Sequence, residues 1–135
     1  MAELTGTCLC GGVRFSVMEP FEHVGACHCA SCKKISGGGA TVSGRVRRDA
    51  VRILAGEDLL TTFQPAEGSA KTFCSVCGTN LFGGGWPDNP FTPVRLPALD
   101  EPYDGGLETH IFTRSLAPWE VLPEDGAERH ETRPG

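Results

Sequence analysis

The chain has 135 residues, a formal net charge of -5 and seven cysteines. That length fits one domain with a modest hydrophobic core, and the acidic balance argues against a nucleic-acid partner. No apolar run reaches the ~18 residues of a membrane span, and the first residues lack the basic and apolar parts of a secretory signal. We therefore expect a cytoplasmic protein with reduced thiols and no membrane contact.

Short extended segments separated by glycine and proline make up most of the chain, which contains 18 Gly and 10 Pro. This pattern is typical of a mainly β protein with little helix. Gly11-Gly12 separates two alternating segments, Thr5–Cys10 and Val13–Val17, which predict an N-terminal hairpin. The other predicted strands are His23–Cys27, Ala40–Ser43, Val51–Leu54, Leu59–Phe63, Lys71–Phe73, Leu81–Phe82, Val94–Leu96 and His110–Thr113.

The one predicted helix covers Ala30–Ser36, directly after a cysteine cluster. A helix N-terminus at this point would favour thiolate over thiol. Near the end of the chain, the last apolar group lies in Trp119–Leu122, and proline and charged residues follow it. We therefore predict a single domain over residues 1–122 and a flexible C-terminal tail over residues 123–135.

The cysteines form three clusters with the spacing of metal ligands, and zinc takes about four thiolate or imidazole ligands. In the last of these clusters, Cys74-x-x-Cys77-Gly78, the glycine directly after Cys77 permits the positive φ that a zinc knuckle needs. The odd cysteine count and the lack of a secretory signal argue against a disulfide framework. The clusters are Cys8-x-Cys10, Cys27-His28-Cys29-x-x-Cys32 and Cys74-x-x-Cys77-Gly78.

A closed site of four cysteines leaves three, and three ligands leave one position of a tetrahedral zinc open for chemistry. The preferred partition assigns Cys8, Cys10, Cys74 and Cys77 to the closed site, and Cys27, Cys29 and Cys32 to the open one. The spacing alone does not decide this pairing. A second structural zinc with His28 or His110 as fourth ligand and an iron–sulfur cluster are the alternatives for the three cysteines. His28 alternates out of phase with its neighbouring cysteines, so we expect it to point away from the metal.

Four motifs in this order carry a family resemblance: Cys8-Leu9-Cys10-Gly11-Gly12-Val13-Arg14-Phe15, Cys27-His28-Cys29-x-x-Cys32-Lys33-Lys34, Phe73-Cys74-x-x-Cys77-Gly78-Thr79-Asn80-Leu81, and His110-Ile111-Phe112 before Pro118-Trp119. With them, the chain resembles the glutathione-dependent formaldehyde-activating enzyme family (GFA), which shares its domain with centromere protein V. The resemblance extends from about Gly6 to Trp119.

The resemblance implies a β-tent fold of antiparallel sheets that holds two zinc ions. It implies a structural zinc on Cys8, Cys10, Cys74 and Cys77, and a catalytic zinc, which we expect to be labile, on Cys27, Cys29 and Cys32. The family reaction joins glutathione and formaldehyde into S-(hydroxymethyl)glutathione and is a carbon–sulfur lyase reaction when written in reverse. A small-molecule thiol, glutathione above all, is therefore the expected partner.

Glutathione carries two carboxylates, so cationic residues near the open site are candidate contacts, and we select Lys33, Lys34 and Arg45. His110 is the candidate general acid or base, with a packed, hydrogen-bonded histidine as the alternative. No phosphate-binding loop, dinucleotide fingerprint or Ser-His-Asp arrangement is present, so kinase, dehydrogenase and hydrolase functions have no support. The competing hypothesis is a non-enzymatic zinc module that binds a protein or nucleic acid through Arg45–Arg52.

Overall fold

The computed structural model describes residues 3–134 and contains one α-helix, α1 (Ala30–Ser36), among short strands. The predicted mainly β fold with little helix is confirmed. Across residues 3–134, no helix has the length and apolar character that crossing a membrane requires. The strands are β1 (Leu4–Thr7), β2 (Arg14–Val17), β3 (His23–Cys27), β4 (Thr41–Arg47), β5 (Val51–Ala55), β6 (Leu60–Phe63), β7 (Lys71–Cys74), β8 (Asn80–Gly83), β9 (Phe91–Arg95), β10 (Thr109–Ile111) and β11 (Glu128–Arg129).

The strands form two sheets. A three-stranded sheet has the order β1-β2-β5, and an eight-stranded sheet has the order β11-β10-β3-β4-β9-β8-β7-β6. The predicted N-terminal hairpin is confirmed, with Leu4 opposite Val17 in the β1–β2 pair. All neighbouring strands are antiparallel except around β10, which runs parallel to both β3 and β11.

The hydrophobic core joins the two sheets through aromatic contacts. Phe15 of the small sheet meets Phe82 of the large sheet edge-on, with ring centroids 5.2 Å apart, and Trp86 stacks on Phe82 at 4.0 Å. Burying side chains of this size contributes about 1.5–3 kcal/mol each. Cys8 and Cys74 belong to the same core cluster, so the first and third cysteine clusters lie where the sheets meet.

The junction between β3 and α1 positions the middle cysteine cluster. β3 and α1 have the same bounds as predicted, and Cys29 is the N-cap residue between them. The helix ends after one and a half to two turns because Gly37 takes a left-handed conformation, with φ 70°, and donates its N–H to the Lys33 carbonyl. The three thiols of this cluster therefore come from one strand end and the first turn of one helix.

The C-terminal segment, predicted as a tail, contains a short strand. Glu128–Arg129 forms β11 and pairs with β10, and the His130 N–H donates to the His110 carbonyl at 2.9 Å. The Asp125 carboxylate also lies 2.7 Å from the His110 ring nitrogen Nε2. A two-residue edge strand is held by backbone groups and needs no apolar alternation, so the sequence pattern could not reveal it.

Candidate active site

Two similar turns bring the first and third cysteine clusters together. In one, the Gly11 N–H donates to the Cys8 carbonyl at 2.9 Å, and in the other the Gly78 N–H donates to the Cys74 carbonyl at 2.8 Å. Both glycines have positive φ, 81° and 79°. The Leu9 N–H donates to the Thr79 hydroxyl at 2.9 Å and links the two turns. The knuckle predicted from the glycine spacing is therefore present twice.

The four thiols of this knuckle cluster have the geometry of a tetrahedral metal site. All four sulfur atoms lie within 4.8 Å of one another. The Cys8 and Cys10 sulfurs are 3.6 Å apart, and those of Cys10 and Cys74 are 3.8 Å apart. Zinc–sulfur bonds of about 2.3 Å in a tetrahedron place the sulfurs about 3.8 Å apart. The residues therefore fit a zinc ion, and all seven cysteines of the chain are free of disulfides.

Local donors favour the thiolate form of Cys77 and Cys8, whereas at Cys10 the Gly12 N–H favours the thiolate but the hydrogen bond with Cys8 brings the net pKa up to about 11. The Thr79 hydroxyl lies 3.2 Å from the Cys77 sulfur, and this contact together with the Thr79 backbone N–H lowers the pKa of Cys77 to about 5. Burial opposes ionisation of Cys8, but the Val13 N–H, 3.2 Å from its sulfur, helps bring the net pKa of Cys8 below its usual value. Thiolates are the form that binds a metal.

The middle cluster brings three thiols together without a fourth protein ligand among residues 3–134. The sulfurs of Cys27, Cys29 and Cys32 lie within 4.8 Å of one another. A hydrogen bond from the Cys27 thiol lowers the pKa of Cys32 to about 5, and the charge of Lys71 adds to the effect. The same hydrogen bond, together with burial, raises the pKa of Cys27. This cluster fits a metal with three protein ligands, as the partition by counting predicted.

Two buried cations lie beside these three thiols. Lys71 is 1% exposed, and its Nζ donates to the Ser31 hydroxyl at 3.0 Å and to the Ser69 carbonyl at 2.7 Å. Arg95 is 6% exposed and donates to the side chains of Asn80 and Ser43 at 2.8 and 2.7 Å. Within residues 3–134, neither cation forms an ion pair with a carboxylate.

Thiolates in the three-cysteine cluster are the negative charges that can compensate these cations. Burial lowers the pKa of Arg95, and the nearby Cys32, Cys27 and Cys29 oppose that effect by favouring the charged guanidinium. A buried cation without a nearby anion is costly, so the fold retains both cations only if negative charge is present in the cysteine cluster. The site is therefore built around thiolates.

A cavity of about 290 Å³ opens onto the thiols, and we call it the first cavity. Cys27 and Cys32 line it together with Arg45 and Arg95. Its size suits a small molecule of several tens of atoms at most, and its cations suit an anionic one. The other polar residues that line it are His23, Thr41, Ser43, Ser69, Thr109 and Arg133.

The three predicted glutathione contacts lie in different surroundings, and one of them lines the first cavity. Arg45 lines the first cavity, although it also pairs with Glu22. Lys33 is turned inward, where its Nζ lies 2.5 Å from the Glu120 carboxylate, and Lys34 is exposed. Neither lysine lines the first cavity. The contribution of all three to substrate binding remains a prediction.

Acid should destabilise the fold in part through Glu120. The Ala117 N–H, at 2.6 Å, and the Lys33 ammonium hold the pKa of this carboxyl below its usual value of about 4.5. A carboxyl with a depressed folded pKa stabilises the fold above its unfolded pKa, and this contribution is lost as the pH falls through the folded pKa. Urea unfolding should therefore show wild type more stable than Glu120→Gln near neutral pH, with a difference that closes as the pH falls below about 4.

The exposed residue Glu124 provides the matched control for this pH experiment. Glu124→Gln should follow wild type at every pH, because it removes a carboxylate of the same segment that has no described partner. A stability gap for Glu120→Gln that stays constant down to about pH 3 would show that the carboxylate's ionisation is not what stabilises this segment.

The two histidines of the motifs lie away from the three thiols. The His28 Nε2 is 2.9 Å from the His110 Nδ1, and the His28 Nδ1 is 3.0 Å from the Gly39 carbonyl. Both rings are buried, and burial lowers the pKa of His28. They line a different cavity from the cysteines, as the out-of-phase position of His28 predicted. The packed, hydrogen-bonded alternative therefore describes His110 better than a general base at the thiols.

The basic stretch Arg45–Arg52 is largely neutralised within the fold. Arg45 pairs with Glu22 and Arg47 with Glu19, while the Arg48 guanidinium lies 4.0 Å from the Trp86 ring centroid. A nucleic-acid surface needs cations that are free to contact phosphates. The structure thus offers little support for the competing binding-module hypothesis.

Comparison with known sequences identifies the family. The sequence model of the glutathione-dependent formaldehyde-activating enzyme family, GFA, matches residues 3–115 and includes all seven cysteines. The chain belongs to this family. The resemblance inferred from the four ordered motifs is thereby confirmed.

Several members of the GFA family show the extent of the similarity. A protein of Halomonas elongata is 29% identical over 127 residues, which cover 86% of this chain and 78% of that protein. Proteins of Penicillium rubens and Aspergillus flavus are 32% and 33% identical, over 84% and 82% of this chain. All three carry the provisional name glutathione-dependent formaldehyde-activating enzyme. The chain spans 64% and 63% of the length of the two fungal proteins.

A solved structure agrees with the fold. The crystal structure of a Rhodobacter sphaeroides protein superposes with a TM-score of 0.59 at 21% identity, covering 93% of this chain and 98% of that one. The likeness at this identity concerns the fold alone.

Lys71 and Arg95 are the site residues that sequence reasoning missed, although both stand in strands that were predicted. The available signal was, for Arg95, a charged residue between the apolar Val94 and Leu96; Lys71 begins its strand and gave no such signal.

Proposed function

We propose that the chain is a zinc-dependent carbon–sulfur lyase that acts on a glutathione adduct, with formation of S-(hydroxymethyl)glutathione from formaldehyde and glutathione as the reaction. Membership of the GFA family and the names of its relatives support this class of activity. In the proposal, one zinc is structural, held by Cys8, Cys10, Cys74 and Cys77. A second, more labile zinc is held by Cys27, Cys29 and Cys32.

The charge balance at the three thiols is the observation that carries the proposal. Three thiolates and one divalent ion leave one net negative charge, which would repel a further thiolate. The buried cations Lys71 and Arg95 reverse this balance to one net positive charge. The neutral state is reached when one more anion enters, and the thiolate of glutathione is such an anion.

Zinc in the open site would supply a Lewis acid that lowers the pKa of a thiol brought to it. The chain's own residues bind and orient the reactants. The first cavity holds the thiol against Cys27 and Cys32, and the Arg95 guanidinium in its lining offers hydrogen-bond donors to a carboxylate of the substrate. Positioning of this kind reduces the entropic cost of bringing two molecules together.

The reaction requires one proton to move from sulfur to oxygen. A carbon–sulfur bond forms, the carbonyl π bond of formaldehyde breaks, and the proton lost by the thiol ends on the new hydroxyl. Ser31 is placed to assist, because its hydroxyl lies 3.4 Å from the Cys29 sulfur and accepts from the Lys71 Nζ at 3.0 Å. In this proposal, the Ser31 hydroxyl, which Lys71 holds in place, donates a hydrogen bond to the oxygen as it becomes negative.

The proposal also covers the extent and location of the activity. We keep residues 1–122 as a single zinc domain and add β11 to it as an edge strand. The reaction needs seven reduced cysteines and a reduced substrate thiol, conditions that the cytoplasm maintains. We therefore propose a cytoplasmic enzyme.

Exchange spectroscopy with ¹³C-formaldehyde tests the function directly. Formaldehyde and glutathione also combine without a catalyst, so the measured quantity is the rate of exchange between free and adduct ¹³C at equilibrium. The purified chain should accelerate this exchange, and Cys32→Ser should return the rate to the uncatalysed value while circular dichroism shows a retained fold. Equal exchange rates with wild type, with Cys32→Ser and without protein would contradict the proposal.

A further inference from the structure

A second cavity, of about 240 Å³, opens onto the same thiols as the first. Cys27, Cys32 and Arg133 line both cavities. A molecule whose sulfur lies at these thiols can therefore extend into either cavity. The second cavity also has charged and aromatic lining residues that the first lacks, namely Glu67, Phe112 and Arg114.

The second cavity combines cationic and acidic groups that have no partner of opposite charge. The Arg114 and Arg133 guanidiniums lie 5.9 and 5.6 Å from the Phe112 ring centroid. In the part of the chain from residue 3 to residue 134, neither arginine forms an ion pair, and neither does Glu67. Two guanidiniums and one carboxylate are thus available to a molecule in this cavity.

The fold holds this arrangement in place through its C-terminal segment. Phe112 has φ 58° and is the one non-glycine residue with positive φ in the described part of the chain. This conformation is unfavourable for a bulky side chain and persists only where surrounding contacts impose it. The contacts here are three N–H donations, from Phe112 to the Thr132 carbonyl at 3.1 Å, from Thr113 to the His130 carbonyl at 3.1 Å and from Arg114 to the Glu131 carbonyl at 3.3 Å. They fix the backbone at Arg114 and directly before Arg133.

We propose that the second cavity binds the α-amino-acid end of the thiol substrate, with Arg114 and Arg133 at its carboxylate and Glu67 at its ammonium group. The inference rests on the proposed function, because the γ-glutamyl residue of glutathione carries both groups. A guanidinium binds a carboxylate through two parallel hydrogen bonds, and a nearby acid adds selectivity for a free amine. Arg133 lies beyond residues 3–115, so the family match itself does not assign it.

Binding of two thiols to the full chain tests this subsite. Glutathione is compared with N-acetylcysteinylglycine, which keeps the thiol and the glycine carboxylate but lacks the γ-glutamyl amino-acid end. Calorimetry should show that Arg133→Gln raises the Kd of glutathione about tenfold and leaves that of the truncated thiol unchanged. Glu67→Gln should act in the same direction with a smaller effect. Arg133 is exposed, so its replacement does not threaten the fold.

Arg52→Gln is the control, because Arg52 is also exposed and lies on β5 of the other sheet. It should leave both Kd values unchanged. If wild type binds glutathione and Arg133→Gln binds it equally well, or weakens both thiols equally, the subsite is overturned while the proposed function stands. If wild type binds neither thiol, the proposed function fails, and the subsite fails with it.

Discussion

Cys74→Ser should unfold the chain, whereas Cys29→Ser should keep the fold and abolish the activity. Cys74 is fully buried in the core that joins the sheets, while Cys29 is half-buried at the mouth of a cavity. A structural zinc site contributes about 10–16 kcal/mol in small zinc peptides, which equals or exceeds the whole stability of a typical domain. Loss of one of four ligands should therefore cost several kcal/mol.

Thermal unfolding followed by circular dichroism, together with zinc content, measures this difference. Cys10→Ser is the matched control, because the Cys10 side chain is exposed and its replacement leaves no cavity in the core. Destabilisation by Cys10→Ser as well as Cys74→Ser would report metal binding rather than packing. The division into a structural and an open site would be wrong if Cys29→Ser lowered the Tm as much as these two variants.

Lys71→Met should weaken glutathione binding by about 10- to 30-fold while the zinc content is retained. The Lys71 ammonium contributes one of the two positive charges beside the three thiols, and a unit charge several ångströms away contributes about 2 kcal/mol at an effective dielectric constant near 20. Methionine has a similar length and tolerates burial, so the fold should remain stable. The metal, itself a cation, gains nothing from Lys71 by direct attraction.

Calorimetry with glutathione and zinc analysis of the same samples separate the two effects. Lys34→Met is the control, since Lys34 is an exposed lysine on α1 and should have wild-type affinity. Loss of zinc together with glutathione binding in Lys71→Met would show that Lys71 supports the metal site as a whole. In that event, the charge balance would not explain recognition of the substrate thiol.

The elements that the sequence predicted well are those set by local pattern. β3 has the predicted bounds because the apolar residues Val24 and Ala26 alternate with less buried residues up to Cys27. The helix α1 has the predicted bounds because Gly37 ends it. Pairing partners are less accessible to such reasoning. The parallel placement of β10 between β3 and β11 depends on backbone groups far apart in the chain, and no residue pattern records it.

In the candidate site too, local sequence pattern predicts some features, and the order of the strands decides the others. The grouping of the seven cysteines follows from their spacing and a count of ligands, and the structure brings together the expected four and three. The charge of the site could not be predicted, because Lys71 and Arg95 lie 39 and 63 positions after Cys32 and reach it only through the order of strands β7, β8 and β9 in the large sheet. Counting three thiolates and one zinc ion therefore assigns the open site one net negative charge, which Lys71 and Arg95 would reverse.

The two knuckles have a consequence for how the protein is assembled in a cell. The sulfurs of Cys10 and Cys74 are 3.8 Å apart in space but 64 positions apart in the chain. The other three cysteines lie within six consecutive positions. A chain that leaves the ribosome at about 5–20 residues per second therefore presents the three-cysteine cluster complete, seconds before the second knuckle exists. We expect the open cluster to capture the first zinc ion. Zinc loading would then depend first on the order in which the cysteine clusters are synthesised, and only later on their affinities for zinc.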